Sequence, residues 1–228
     1  MVASVGVGSM PAHLGSFTVR ADGLSDKKAT QYESSLVGML RSFEAFKAGQ
    51  ALMRGFRFYN RPVLVYPYDG KKGKCNAHGG GDYGGLFPSK ISISPQMFNG
   101  ASSCFPADAA SASPHEVLFH ELVHTLRSAA GKWGTWSAIA EEAAAITVAN
   151  VFSSEMNRSL RDPWAPRSVA AVKVDPVAFM HVNTELMTNF YKQMPDFSRW
   201  IAEVNVPWNP IRLYYFTLRN VPRLNSAP

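Results

Sequence analysis

Apolar residues recur along this chain with two different periods, and the changes of period divide it. After Ser25, the residues Leu36, Leu40, Phe43 and Phe46 return at spacings of three and four, which is one face of a helix. That pattern runs on towards Met53, with a break expected near Gly49. The segment 61–67, RPVLVYP, reads as a short strand with Val63 and Val65 on one face. The segment 90–95, KISISP, alternates with period two and is the clearest strand signal in the chain. Between them, residues 69–85 are Gly-rich and read as a loop. Helical spacing returns at Pro114, at about Ala138, and from Pro176 to about Val204. Residues 209–216, NPIRLYYF, read as a last strand or turn.

Strands come first and helices later, which predicts an α+β fold. Residues 1–24 are small and polar enough to read as a loose arm, leaving residues 25–228 as a single domain. Hydrophobic residues make up 46 % of the chain and charged residues 18 %, which suits a packed core rather than disorder. No apolar run approaches the roughly 18 residues of a membrane helix, and the first ten residues have no basic start of the kind a signal peptide carries. The expectation is a protein without membrane insertion that leaves its cell, if it does, by another route. The net charge is +6, but the basic residues are scattered, and only Lys71, Lys72 and Lys74 cluster. Nucleic-acid binding wants a basic stripe with interleaved aromatics, so no nucleic-acid partner is expected. Cys75 and Cys104 lie in no CxxC pair; a disulfide between them and two free thiols remain equally open.

Chemistry enters at residues 113–127, SPHEVLFHELVHTLR. Ser113 is a good N-cap, Pro114 fits the first helical position, and Glu116 follows the cap by three residues, which completes a capping box. Glu116 therefore has a structural task. At about 100° per residue, Leu118, Leu122 and Leu126 form one stripe, and His120 and His124 fall within about 40° of each other towards the other side. Two imidazoles one turn apart can converge on a single zinc ion. Glu121, offset by about 100°, can reach a water beside the ion without being a ligand.

Two imidazoles leave a catalytic zinc one protein ligand short. The continuation HExxHxxGxxH is absent, since Arg127 and Ala130 occupy its Gly and His positions. The third ligand must come from elsewhere. Downstream lies an Ala-rich helical stretch, residues 136–152, that holds the adjacent carboxylates Glu141 and Glu142. Small side chains let it pack closely on the motif helix. The two carboxylates point about 100° apart, so only one can be a ligand, and the other suits a solvated helix start.

These motifs resemble the gluzincins, zincin-like metallopeptidases in which HExxH is completed by a Glu on the next helix. Glu141-Glu142 is similar to the Glu-Glu element of clostridial neurotoxin light chains and bacterial effector zincins. The nearer resemblance is to NleD-like injected proteases and to toxin domains of type VI secretion systems. It rests on residues 116–127, 141–150 and 153–161, with looser agreement at 90–95 and 209–212. The resemblance implies a mostly helical zincin-like fold with a small sheet beside the motif helix, and one Zn2+ per chain held by His120, His124 and Glu142. It implies Glu121 as the general base, and Arg212 with Tyr215 as the groups facing the oxyanion. It also implies a protein or peptide substrate, a secretion machinery, delivery into a target cell, the periplasm above all, and a cognate immunity protein. The segment 90–95 is the candidate edge for an extended substrate. A protease injected into eukaryotic cells to cut signalling proteins, and a zincin fold kept for binding alone, are the alternatives. A base at Glu121 speaks against the last, because binding needs no base.

Overall fold

The sheet is built in an order that the chain does not follow. The computed structural model describes residues 12–68, 77–80, 88–94, 110, 113–165 and 171–220. Five strands, β1 (Ala12–Leu14), β2 (Phe17–Val19), β3 (Val63–Pro67), β4 (Ala77–Gly80) and β5 (Ser89–Ile93), form one sheet ordered β1-β2-β3-β5-β4. The pairs β2–β3 and β3–β5 are parallel, while β1 and β4 run antiparallel to their neighbours at the two ends. A two-residue ladder, β6 (Leu160–Arg161) with β7 (Ala171–Val172), stands apart.

The parallel step from β2 to β3 needs a long crossover. It is made by α1 (Asp26–Ser42) and α2 (Lys47–Tyr59) with a 3-10 turn between them at Phe43–Ala45. The remaining helices are α3 (Pro114–Ala129), α4 (Ala138–Glu155), α5 (Pro176–Val182), α6 (Thr184–Gln193), α7 (Pro195–Ala202) and α8 (Pro210–Asn220). One contiguous core joins Phe17, Val19, Val63, Val65, Ile91 and Ile93 of the sheet to α1–α4 and reaches Trp208 and Tyr214 near the end. The mixed α+β class is as expected.

Four local expectations are corrected. Residues 12–19 are a β-hairpin rather than a loose arm, because Phe17 and Val19 are buried, with Phe17 edge-on to Phe56 at 4.9 Å. The first helical break falls at Phe43 rather than Gly49, which lies inside α2 where any Cβ would strike the Phe43 carbonyl. The segment 90–95 contributes β5, an inner strand; the sheet ends instead at β4, inside the Gly-rich stretch. Residues 210–220 are a helix, because Ile211 and Tyr214, three apart, are both buried where α8 packs on α5 and α7. Cys75, Cys104, the Lys71–Lys74 cluster and Pro95 lie outside the described residues. No helix among the described residues is long and apolar enough to cross a membrane.

The helix that matters most, α4, is buried on every side from Ala143 to Ser154. Its aromatic end stacks on α3: Phe152 lies parallel to Phe119 at 4.3 Å, with Phe43 and Phe46 edge-on. Its last residue serves another helix. Glu155 Oε1 and Oε2 accept hydrogen bonds from the Lys47 and Ala48 amides at 2.6 and 2.8 Å, so it caps α2 from a distant part of the chain. Glu155→Ala leaves both amides without that acceptor. We expect a loss of about 1–2 kcal/mol of unfolding free energy, read from urea denaturation; an unchanged midpoint would show that the cap carries no stability.

Candidate metal centre

The site begins with the cap of α3. Ser113 Oγ accepts from the Glu116 amide at 3.2 Å, and Glu116 Oε2 accepts from the Ser113 amide at 3.2 Å, so the capping box expected from sequence is formed. Glu116 does more than cap. Its carboxylate is fully buried and also accepts from Ser153 Oγ at 2.7 Å and Arg158 Nε at 2.8 Å. The start of α3 is thereby bolted to the far end of α4 and the turn after it. The registers of the two helices are fixed against each other.

That register sets His120 and His124 opposite the first turns of α4. The two Nε2 atoms lie 3.1 Å apart. The Glu142 carboxylate closes the triangle, with Oε2 at 3.3 Å from His120 Nε2 and Oε1 at 3.2 Å from His124 Nε2. Nitrogen and oxygen ligands about 2.0–2.1 Å from a tetrahedral ion lie about 3.3–3.4 Å from one another, so the three groups have the spacing of ligands around one ion. His120, His124 and Glu142 are close enough to hold a metal ion. The histidines are buried, and Glu142 is partly open to solvent, its side chain 38 % exposed.

Glu141 has a different role. Its Oε1 lies 3.5 Å from His124 Nδ1, on the side of the ring away from Glu142, and accepts from Arg127 Nε at 2.6 Å. It is buried, not the solvated helix start that sequence left open. An acceptor at Nδ1 favours a proton there and leaves Nε2 bare for a metal.

The electrostatics follow from this packing. Burial works against charge on His124, but the carboxylates of Glu141 and Glu142 outweigh it and raise the pKa to about 9. Burial would raise Glu142, yet its bonds to His120 and His124 hold its carboxyl far below the usual range. Burial on Glu141 is likewise overcome by His124 and Arg127, and its pKa is lowered. Both carboxylates stay anionic; Glu142 draws positive charge to the gap between the imidazoles, and Glu141 draws it to the Nδ1 side of His124.

Glu121 lies beside this group, held by the sheet. Its carboxylate accepts a hydrogen bond from the Gly79 amide, and its main-chain carbonyl accepts from Thr125 Oγ1 at 2.8 Å. Any side chain at Gly79 would collide with the Glu121 main chain, so β4 lies directly on α3. Trp133 stands edge-on to His124 at 5.4 Å and against Gly80, walling one side.

Arg212 and Tyr215 meet neighbours on α6, α7 and α8. Arg212 Nη1 donates to the Ala202 carbonyl at 3.1 Å, and its guanidinium lies over the Phe216 ring. Tyr215 packs against Tyr191 and Phe216. Their helical spacing put them together, but α8 carries them onto α5, α6 and α7. Besides Arg127, Arg161 lies near the carboxylates of the centre. Burial lowers its pKa, and the nearby charges of Glu142 and Glu121 partly offset that. Its backbone is gripped by the fully buried Asn150, which accepts from its amide at 2.9 Å and donates to its carbonyl at 2.7 Å. Arg161 ends one of the segments that carry the resemblance, residues 153–161, but periodicity gave it no role, because the two-residue strand that carries it is too short to read. Of the other histidines, His78 is exposed on β4, His13 meets Thr18, His115 meets Phe43 edge-on, and His181 is exposed in the last turn of α5.

No family model, curated protein or solved structure matches the chain.

The geometry separates the two neighbouring glutamates. Ala substitution at His120, His124 or Glu142 removes an ion-facing atom and is expected to abolish stoichiometric metal binding. Glu141→Ala is expected to retain the metal with affinity lower by about 10–100-fold. Equilibrium dialysis against a divalent cation checks the ranking; stronger loss at Glu141 than at Glu142 would exchange their roles.

Proposed function

We propose that this protein is a zinc-dependent endopeptidase, and that it acts as a secreted bacterial effector. The observation that carries the reading is the spacing of His120 Nε2, His124 Nε2 and the Glu142 carboxylate, with Glu121 on the same helix as the two histidines. Two imidazoles and one carboxylate form a donor set that suits zinc and leaves a position open for chemistry. When bound, zinc supplies Lewis acidity towards a water and a scissile carbonyl.

The chain's own groups supply the rest. Glu121 takes a proton from the attacking water and returns it to the leaving amine. Its carboxylate is aimed by the Gly79 amide. Arg161 provides positive charge for the developing oxyanion, in place of Arg212 and Tyr215. Support for this is its proximity to Glu121 and Glu142 and the clamp of Asn150 on its backbone. An extended peptide suits β4, the strand that ends the sheet beside Glu121, by strand addition. This moves the substrate edge from residues 90–95 to Ala77–Gly80.

Resemblance to effector metallopeptidases supports delivery into a target cell and a cognate immunity protein that covers the cleft. An antibacterial role is preferred to cleavage of eukaryotic signalling proteins, and both are enzymatic readings that need Glu121.

Two measurements test the proposal. Glu121→Gln should bind zinc as the wild type does while peptide hydrolysis falls by about 10²–10⁴-fold; a variant with near-wild-type turnover excludes Glu121 as the base. Expressed in bacteria, the exported wild type should arrest growth, whereas the cytoplasmic wild type and exported Glu121→Gln should not. Equal growth of all three removes the antibacterial role and favours a eukaryotic target. Equal toxicity of exported wild type and Glu121→Gln would mean that the harm is not proteolysis.

A further inference from the structure

Arg127 is the largest fully buried side chain in the described structure, with 0 % exposure. A guanidinium stays protonated at any pH a protein meets, so this position places a permanent cation inside the molecule. Burying such a charge is costly unless its partners are close and well directed. Its partners come from three separate places. Nε–H donates to Glu141 Oε1 on α4 at 2.6 Å. Nη2–H donates to the Lys132 carbonyl at 3.2 Å and to Gln193 Oε1 at the end of α6 at 3.0 Å. The plane of the group lies over the Trp136 ring, 3.8 Å from its centroid.

The position of Arg127 on its own helix adds a second observation. At about 100° per residue, residue 127 falls within about 60° of both His120 and His124. It is the next residue along the metal-facing side of α3, set back from the gap by one carboxylate. A single oxygen, Glu141 Oε1, faces both Arg127 Nε and His124 Nδ1. The order of groups is therefore Trp136, Arg127, Glu141, His124 and the ion gap.

We propose that Arg127 is a positioning residue of the metal centre, acting through Glu141 to fix the ring and tautomer of His124. The reading rests on the zinc centre proposed above. Two consequences follow from the geometry. By holding Oε1, the guanidinium keeps Glu141 at the Nδ1 side of His124, so that Glu142 alone faces the ion. By joining Glu141 to the Lys132 carbonyl and to Gln193 through one rigid group, it also ties that carboxylate to the turn after α3 and to α6. A purely structural ion pair between α3 and α4 would need neither the shared oxygen nor the alignment with the histidine face.

The test is a cycle of full-length variants: Arg127→Gln, Glu141→Gln and both together, with Arg127→Lys as the variant that keeps a buried positive charge. Two properties are measured, zinc affinity by chelator competition and the visible absorption of the cobalt-substituted protein. Folding is checked by near-ultraviolet circular dichroism. Arg127→Gln should weaken zinc binding by about 10–100-fold and shift the cobalt bands. The double variant should bind no more weakly than Glu141→Gln alone, because the two residues act in series. Arg127→Lys should show a smaller loss and a shifted spectrum, since an ammonium lacks the planar fork. If Arg127→Gln does not fold, Arg127→Lys decides the question by the same two readouts. Wild-type affinity and spectrum in a folded Arg127 variant overturn the role, as do additive losses in the double variant. A wild-type chain that binds no zinc overturns the centre itself, so the two failures are distinguishable.

Discussion

Charge neutralisation in the mostly buried seam between α3 and α4 is the constraint on which the rest depends. Two imidazoles and two carboxylates are packed there, with His120, His124 and Glu141 buried. Unpaired, such groups would push the helices apart, because a buried charge without a partner costs several kcal/mol. The seam holds because each carboxylate meets positive charge. Glu141 has Arg127, and Glu142 has the histidine pair, with a spacing that a metal ion would fit. The Ala-rich side of α4 allows the approach; bulkier residues at Ala143 to Ala145 would keep the helices too far apart for a carboxylate to bridge both rings.

The seam is held in register from both ends. At one end Glu116 ties the α3 cap to Ser153 and Arg158, and Phe119 stacks on Phe152. At the other, Arg127 joins α3 to Glu141 and to Gln193. A slip of one residue in α4 would leave an alanine in one of the two places, either Ala140 in that of Glu141, losing the acceptor for His124, or Ala143 in that of Glu142, losing the carboxylate that faces both Nε2 atoms. The sheet contributes the third side. Gly79 lets β4 lie against Glu121, and its amide aims the carboxylate. Glu121, the group of His120, His124 and Glu142, and the strand β4 are thus brought together by three elements distant in sequence.

The chain by itself determined what is local. The capping box at Ser113 and Glu116, the helical phase of His120 and His124, and the placing of Glu121 between them follow from spacing alone and are found as expected. The alternation of Val63 and Val65 and of Ile91 and Ile93 marks two strands, because side chains on a strand repeat every two residues. The Ala-rich run marks a helix that packs closely. Tertiary structure decided what depends on residues meeting across the fold. Phase showed that Glu141 and Glu142 diverge; the packing of α4 on α3 shows which one faces the gap between the imidazoles. Sequence order put β5 at the substrate edge, but β4 folds back outside it, since strand order is set by long-range pairing. Arg212 and Tyr215 have the right spacing for a shared task, yet α8 directs Arg212 to Ala202. Arg161 reaches the centre through a two-residue strand and the grip of Asn150, which no periodicity could reveal. In sequence Arg127 stood only where the longer motif would have its Gly, and its meaning required the carboxylate of another helix.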